Sequence, residues 1–161
     1  MGFLKLFGSK PKWKDKLREI VQEQKTYGEK VNIGASEGEL KRFFEEAKCK
    51  RRVELPADYA EILKTVNGLE FNGYILYGID ERLLDKTPDQ SINGLIARNE
   101  VWYENDRQKR YVFIGESDIS WYVYDLEERR YSELDNPSGE ECEVFSSLEC
   151  MVEKMLNDAL L

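Results

Sequence analysis

The chain has 161 residues, in which 24 Lys and Arg face 32 Asp and Glu for a formal net charge of −8, and it contains no His. Without His there is no Ser-His-Asp triad, no Cys-His pair and no His-rich metal site. This length fits one domain with a core that needs no disulfide or metal staple. Residues 1–11 mix apolar and basic side chains and are expected to form a flexible tail ahead of a single domain over 12–161. The apolar stretch there is too short for a secretory signal. Met1-Gly2 invites a myristoylation reading, but Leu6 stands where that motif wants Ser or Thr. No apolar run approaches the ~18 residues of a membrane-crossing helix.

Periodicity predicts a first helix over 12–27, with Trp13, Leu17, Ile20, Val21 and Gln24 on one stripe. Ser36-Glu37-Gly38-Glu39 has capping-box spacing and opens a second helix, whose apolar face is Leu40, Phe43, Phe44 and Ala47. The basic run Lys48 to Arg52 closes it, because cations suit a helix C-terminus. Leu55-Pro56-Ala57-Asp58-Tyr59 opens a third helix, since Pro56 wastes no amide in the first turn, and Asn67-Gly68 ends it. Asn72-Gly73 between two apolar runs is a hairpin signal. Residues 80–90 read as a loop, and Ser91 to about Glu104 as a fourth helix that Gly94 weakens.

From Tyr111 the pattern is β. Strands are expected at Tyr111–Ile114, Trp121–Tyr124, Arg130–Leu134 and, as an edge, Glu143–Phe145. Turns are expected at Gly115–Ile119, Glu127–Glu128 and Asp135–Gly139. Ser146 or Ser147 caps a terminal helix with Leu148, Met151, Val152, Met155, Leu156, Ala159 and Leu160 on one stripe. Helices, then hairpin-connected strands, then a helix predict an α+β fold. Its largely antiparallel sheet of about five to six strands is flanked by N-terminal helices and a C-terminal helix.

The charge is uneven. Residues 1–110 carry 21 basic and 19 acidic side chains, whereas residues 111–161 carry Arg129, Arg130 and Lys154 against 13 acids, a net of −10. Such a segment repels phosphate, so no nucleic-acid partner is expected, and its field steers it toward a basic protein. The odd set Cys49, Cys142 and Cys150 fits reduced thiols in the cytoplasm. Three acid pairs, Asp80/Glu81, Glu116/Asp118 and Glu140/Glu141, all fall in or beside expected turns, where carboxylates are solvated rather than poised. Asp135 to Glu141 lacks the alternating oxygen ligands of a calcium loop, and no Gly-Lys-Ser/Thr follows Gly28 to Gly38. Cys49 beside Lys48 and Lys50 has no base partner in view. No catalytic residue, metal or cofactor is expected. Trp102, Tyr103, Trp121, Tyr122, Tyr124 and Tyr131 either fill the core and the second face of the sheet or form an interface. On the interface reading, the contact residues are Glu116, Asp118, Trp121, Tyr122, Tyr124, Glu127 and Glu128.

Leu55-Pro56-Ala57-Asp58-Tyr59, then Ile62-Leu63 and Asn67-Gly68, resemble the hallmark helix of the SUKH superfamily, the Smi/Knr-like proteins. The aromatic strand before Gly115, the Tyr-rich strand ending at Asp125 and the Phe145-Ser-Ser-Leu148 entry to the last helix resemble it too. The likeness spans roughly residues 36–160. It implies a single α+β domain that binds proteins without catalysis. Many bacterial relatives are cytoplasmic immunity proteins against toxins that are often nucleases, and fungal relatives are regulatory scaffolds of cell-wall signalling. The family carries no agreed catalytic residues, so none is transferred.

Overall fold

The computed structural model describes residues 11–51 and 55–161, with Lys50 and Arg51 as backbone only. Residues 1–10 of the tail expected over 1–11, and the end of the basic run at Arg52, lie outside the described residues. Helix α1 (Trp13–Thr26) buries the predicted stripe of Trp13, Leu17, Ile20 and Gln24. Helix α2 (Glu37–Arg51) begins on the predicted capping box: the Ser36 amide donates to Glu39 Oε1 at 2.9 Å, and the Glu39 amide donates to Ser36 Oγ at 3.2 Å. Ser36→Ala removes the acceptor and is expected to cost about 1 kcal/mol in urea denaturation. A change below a tenth of that would show that the box does not hold this helix.

Helix α3 (Asp58–Thr65) starts three residues after Leu55 and buries Tyr59, Ile62 and Leu63. It stops where Val66 turns extended, and Gly68 follows at φ +79°. The Tyr59 hydroxyl donates to the Tyr77 carbonyl, which pins α3 to the chain leaving the first hairpin.

Six strands follow: β1 (Leu69–Phe71), β2 (Tyr74–Leu76), β3 (Tyr111–Glu116), β4 (Ser120–Asp125), β5 (Arg130–Asp135) and β6 (Glu141–Phe145). They form one sheet in chain order, and every neighbouring pair is antiparallel. Asn72 and Gly73 take φ values of 49° and 81°, as the predicted two-residue hairpin requires. Helix α4 (Leu95–Trp102) lies between β2 and β3 in sequence, and helix α5 (Leu148–Leu160) ends the fold. Ser147 is the cap of α5, its Oγ accepting the Cys150 amide at 3.1 Å. The protein is an α+β domain with helices at both ends of the chain.

Boundaries differ from expectation at several places. The third helix begins at Asp58, so Pro56 precedes its first turn rather than lying in it. The fourth helix begins at Leu95, not Ser91, because Asn93 and Gly94 pair with Gly78 in extended form. Its first turn is then set by the Asp80 carboxylate, which accepts the amides of Ile96 and Ala97 at 3.0 and 2.9 Å. Gly115 and Glu116 are strand rather than turn, since they pair with β2 on one side and β4 on the other around a bulge at Ile114. Strand β6 begins at Glu141, two residues early, by accommodating a bulge at Cys142.

Helix α5 packs on one face of the sheet against β2, β5 and β6, and α1 and α3 pack against α5. Gly115 permits the close approach of α5: a methyl group there would fall 2.6 Å from the Ile75 carbonyl oxygen and 2.9 Å from Met155 Cε. Tyr122, on this face, is buried against the helical layer. Among the described residues, no helix is long and apolar enough to cross a membrane.

Candidate functional site

Because side chains alternate along each strand, the face away from α5 receives Tyr111 and Phe113 from β3, Trp121 and Asp125 from β4, and Leu134 from β5. Helix α4 lays Trp102 against this set. Its ring centroid is 5.3 Å from Trp121 and 5.9 Å from Phe113, and Phe113 meets Trp121 edge-on at 5.6 Å. Arg98, one turn earlier in α4, lies over the Trp102 ring and pairs with Glu116 at 2.7 Å.

Tyr111, Phe113, Trp121 and Leu134 floor an open groove of about 660 Å³. One wall is the short turn Asp106–Arg110, and the other is the loop Pro137–Gly139. Asn105 Oδ1 caps the first wall by accepting the Arg107 amide at 3.0 Å. Arg110 fixes its far end through a two-pronged bond to Asp125, at 3.0 and 2.7 Å. Asp125 Oδ1 also accepts the amides of Glu127 and Glu128 at 2.9 and 3.1 Å. Burial alone would raise the Asp125 pKa, but the Arg110 guanidinium and the two amides hold it below the ordinary carboxylate value. The same pairing raises the Arg110 pKa. In the second wall, Asp135 Oδ2 accepts both the amide and the hydroxyl of Ser138. The Asn136–Pro137 peptide bond is cis.

The Trp121 side chain carries one feature that packing does not explain. It is 4% exposed, and its Nε1–H is buried with no acceptor among the described residues. Such an unmet donor is uncommon in a native interior.

The seven residues expected at an interface do not form one patch. Trp121 and Glu127 both line the groove. Glu128 is exposed beside Glu127 in the β4–β5 turn. Glu116 and Asp118 lie at the other end of the β3–β4 hairpin, where Glu116 is half-buried against Arg98 and Asp118 is exposed. Tyr122 and Tyr124 point to the helical face. Burial there pushes the Tyr122 hydroxyl pKa up, and the Tyr124 ring rests 4.9 Å from Tyr131.

At least one acid of each pair is engaged structurally, Glu116 by Arg98 as above, while Asp118 and Glu140 are exposed. Asp80 caps α4, Glu81 accepts the Ile92 amide at 3.4 Å, and Glu141 binds Arg130 at 3.0 Å. Among the described residues, no group of three or more Cys, Asp or Glu is placed to hold a metal. All three cysteines are free, and Cys49 and Cys142 are exposed. The wall Asp106–Arg110 was not legible as part of a site. Its only sequence signal is a cation-rich stretch, which reads as a solvated turn.

The sequence pattern of the SUKH family described as SMI1-KNR4 cell-wall matches residues 44–135. The match runs from Phe44 in α2 to the end of β5, and so includes α3, the groove floor and Asp125. No curated protein matches the chain.

Proposed function

Because the chain belongs to the SMI1-KNR4 cell-wall family of the SUKH superfamily, we propose that it is a non-enzymatic protein-binding module that acts as an immunity protein. On this reading it neutralises a basic toxin in the cytoplasm by covering it. Family membership carries the reading. Two further observations support it: the net charge of −10 over residues 111–161, and a groove with an aromatic floor and an unmet indole donor. Trp121 would supply the packed contact, and Asp118, Glu127 and Glu128 would supply the attracting charge. The test is co-expression with the product of the adjacent gene. Immunity requires that this product be toxic alone, tolerated with the chain and recovered in complex with it.

Neutralising the three exposed acids (Asp118→Asn, Glu127→Gln, Glu128→Gln) is expected to slow association roughly tenfold at low salt and leave dissociation nearly unchanged. Association measured by rapid mixing over a range of ionic strength checks this. An association rate that ignores salt in the unmodified protein would sink the electrostatic part.

The family's own description favours a second reading, a regulatory or scaffold module that binds a host protein. A harmless neighbouring gene product, with a stable complex formed with a host protein instead, would select it.

A further inference from the structure

We propose that the outer edge of β6 is a docking site for an extended basic segment of the protein partner, which joins the sheet as an added strand. The argument starts from how this fold treats its open strand edges. At β1, the outward amide and carbonyl of Glu70 are covered. Gln24 Nε2 and Gln90 Nε2 donate to the Glu70 carbonyl at 3.1 and 3.2 Å, and Gln90 Oε1 accepts its amide at 3.3 Å. At β3, beyond the reach of short β2, Asn99 takes the place of a strand: it accepts the Phe113 amide at 2.7 Å and donates to the Phe113 carbonyl at 2.8 Å. Two open edges are therefore closed by side-chain amides.

The β6 edge has no such cover. The Asp135 amide donates to the Glu140 carbonyl at 2.8 Å, so odd-numbered β5 residues turn toward β6. Their partners Glu143 and Phe145 turn inward to β5. By the two-residue period, Val144 presents its N–H and C=O outward, and among the described residues nothing bonds to them. Glu141, Cys142, Glu143 and Val144 are all exposed, and Val144 is a 44%-exposed β-branched residue with no Pro or Lys beside it as a block.

Charge selects the occupant. Residues 130–149 hold six acids and one base. Glu143 meets only a distant Lys154, at 3.7 Å, and keeps about half its side chain exposed. A second copy would bring another acidic edge against this one, whereas a strand alternating Lys or Arg with apolar residues would set a cation beside Glu143 on one face and an apolar side chain beside Val144 on the other. Strand addition draws affinity from the main chain and selectivity from those alternate side chains.

The inference rests on the reading of a basic protein partner, but its test needs only the purified chain. The probe is a short blocked peptide alternating lysine with valine, compared with one alternating glutamate with valine. Binding is followed by fluorescence anisotropy and by backbone amide chemical shifts. The expected result is binding of the lysine peptide alone, with the largest shifts at Val144 and its β6 neighbours. Val144→Pro, which deletes the outward N–H, should weaken binding at least tenfold with an unchanged circular dichroism spectrum. Should that variant not fold, Glu143→Lys keeps the edge intact and should move the preference to the glutamate peptide. No binding at millimolar peptide, equal binding of both peptides, or shifts centred on Trp121 would overturn the proposal. So would a concentration-dependent dimer that Val144→Pro abolishes, since the occupant would then be a second copy. Neither the peptide result nor the co-expression result dictates the other, so the edge and the toxin reading fail separately.

Discussion

Asn99→Leu is expected to lower folding stability by about 3–4 kcal/mol, although leucine is the better helix former and nearly the same size. Asn99 is 6% exposed and sits mid-helix in α4. Its Nδ2 donates to the carbonyls of Leu95 and Phe113, both at 2.8 Å, and its Oδ1 accepts the Phe113 amide. Strand β2 pairs with β3 only at Gly115 and Glu116, so Phe113 has no strand on that side. Leucine would leave its amide and carbonyl buried and unmet, each at a cost of about 1–3 kcal/mol, and the small gain in helix propensity does not offset this. Urea denaturation gives the stability, and hydrogen exchange at the Phe113 amide localises the loss. A cost under about 1 kcal/mol with Phe113 exchange unchanged would show that packing alone anchors α4. The consequence reaches the groove, because α4 carries Trp102 onto Trp121. The variant should therefore also change tryptophan fluorescence before global unfolding.

What the sequence disclosed, and what it hid, follows from the range of the interactions. The capping box at Ser36, the Asn72-Gly73 hairpin and the stripe of α5 were readable because each depends on residues a few positions apart. The start of α4 was not. Ser91 to Gly94 has a helical look, yet these residues are drawn into extended form by Gly78, and the turn that follows is capped by Asp80. Both partners lie more than ten residues upstream. The strand at Gly115 was hidden for a related reason: glycine reads as a turn locally, but here its missing side chain admits Met155 from α5.

The candidate site divided the same way. The aromatic strand was legible, and the alternation of Trp121 with Tyr122 correctly implied two different faces. That both faces would be covered, one by α5 and one by Trp102, depends on tertiary placement. The role of Asp125 was illegible because its partner Arg110 lies across the β3–β4 hairpin and its other donors are backbone amides. The sequence marks Asp125 only as the last residue of a strand, where acids are common and usually solvated.

Asp125→Asn is expected to cost about 2–3 kcal/mol at pH 7. The Asp125 side chain is 1% exposed, whereas Arg110 is 35% exposed. Breaking a buried pair costs about 3–5 kcal/mol, and the lower figure here allows for water reaching the freed guanidinium. Asparagine still offers one acceptor to the Glu127 and Glu128 amides, so the loss falls on the Arg110 pairing and the turn that Arg110 anchors. The pH dependence separates charge from shape. The Asp125 pKa is lower in the folded protein than in the unfolded chain, so its ionised form contributes stability that is full above about pH 4–5 and fades as pH falls through the folded value. Raising the pH above neutrality should add nothing from this group. The gap between the unmodified protein and Asp125→Asn, measured by denaturant melts from pH 7 to pH 2, should therefore narrow as the acid limb is reached. A gap that stays constant over that range would mean that geometry, and not the carboxylate charge, holds the turn. Since the turn Asp106–Arg110 is one wall of the groove over Trp121, the same variant should weaken any partner seated there at neutral pH while leaving binding of the lysine peptide at β6 untouched.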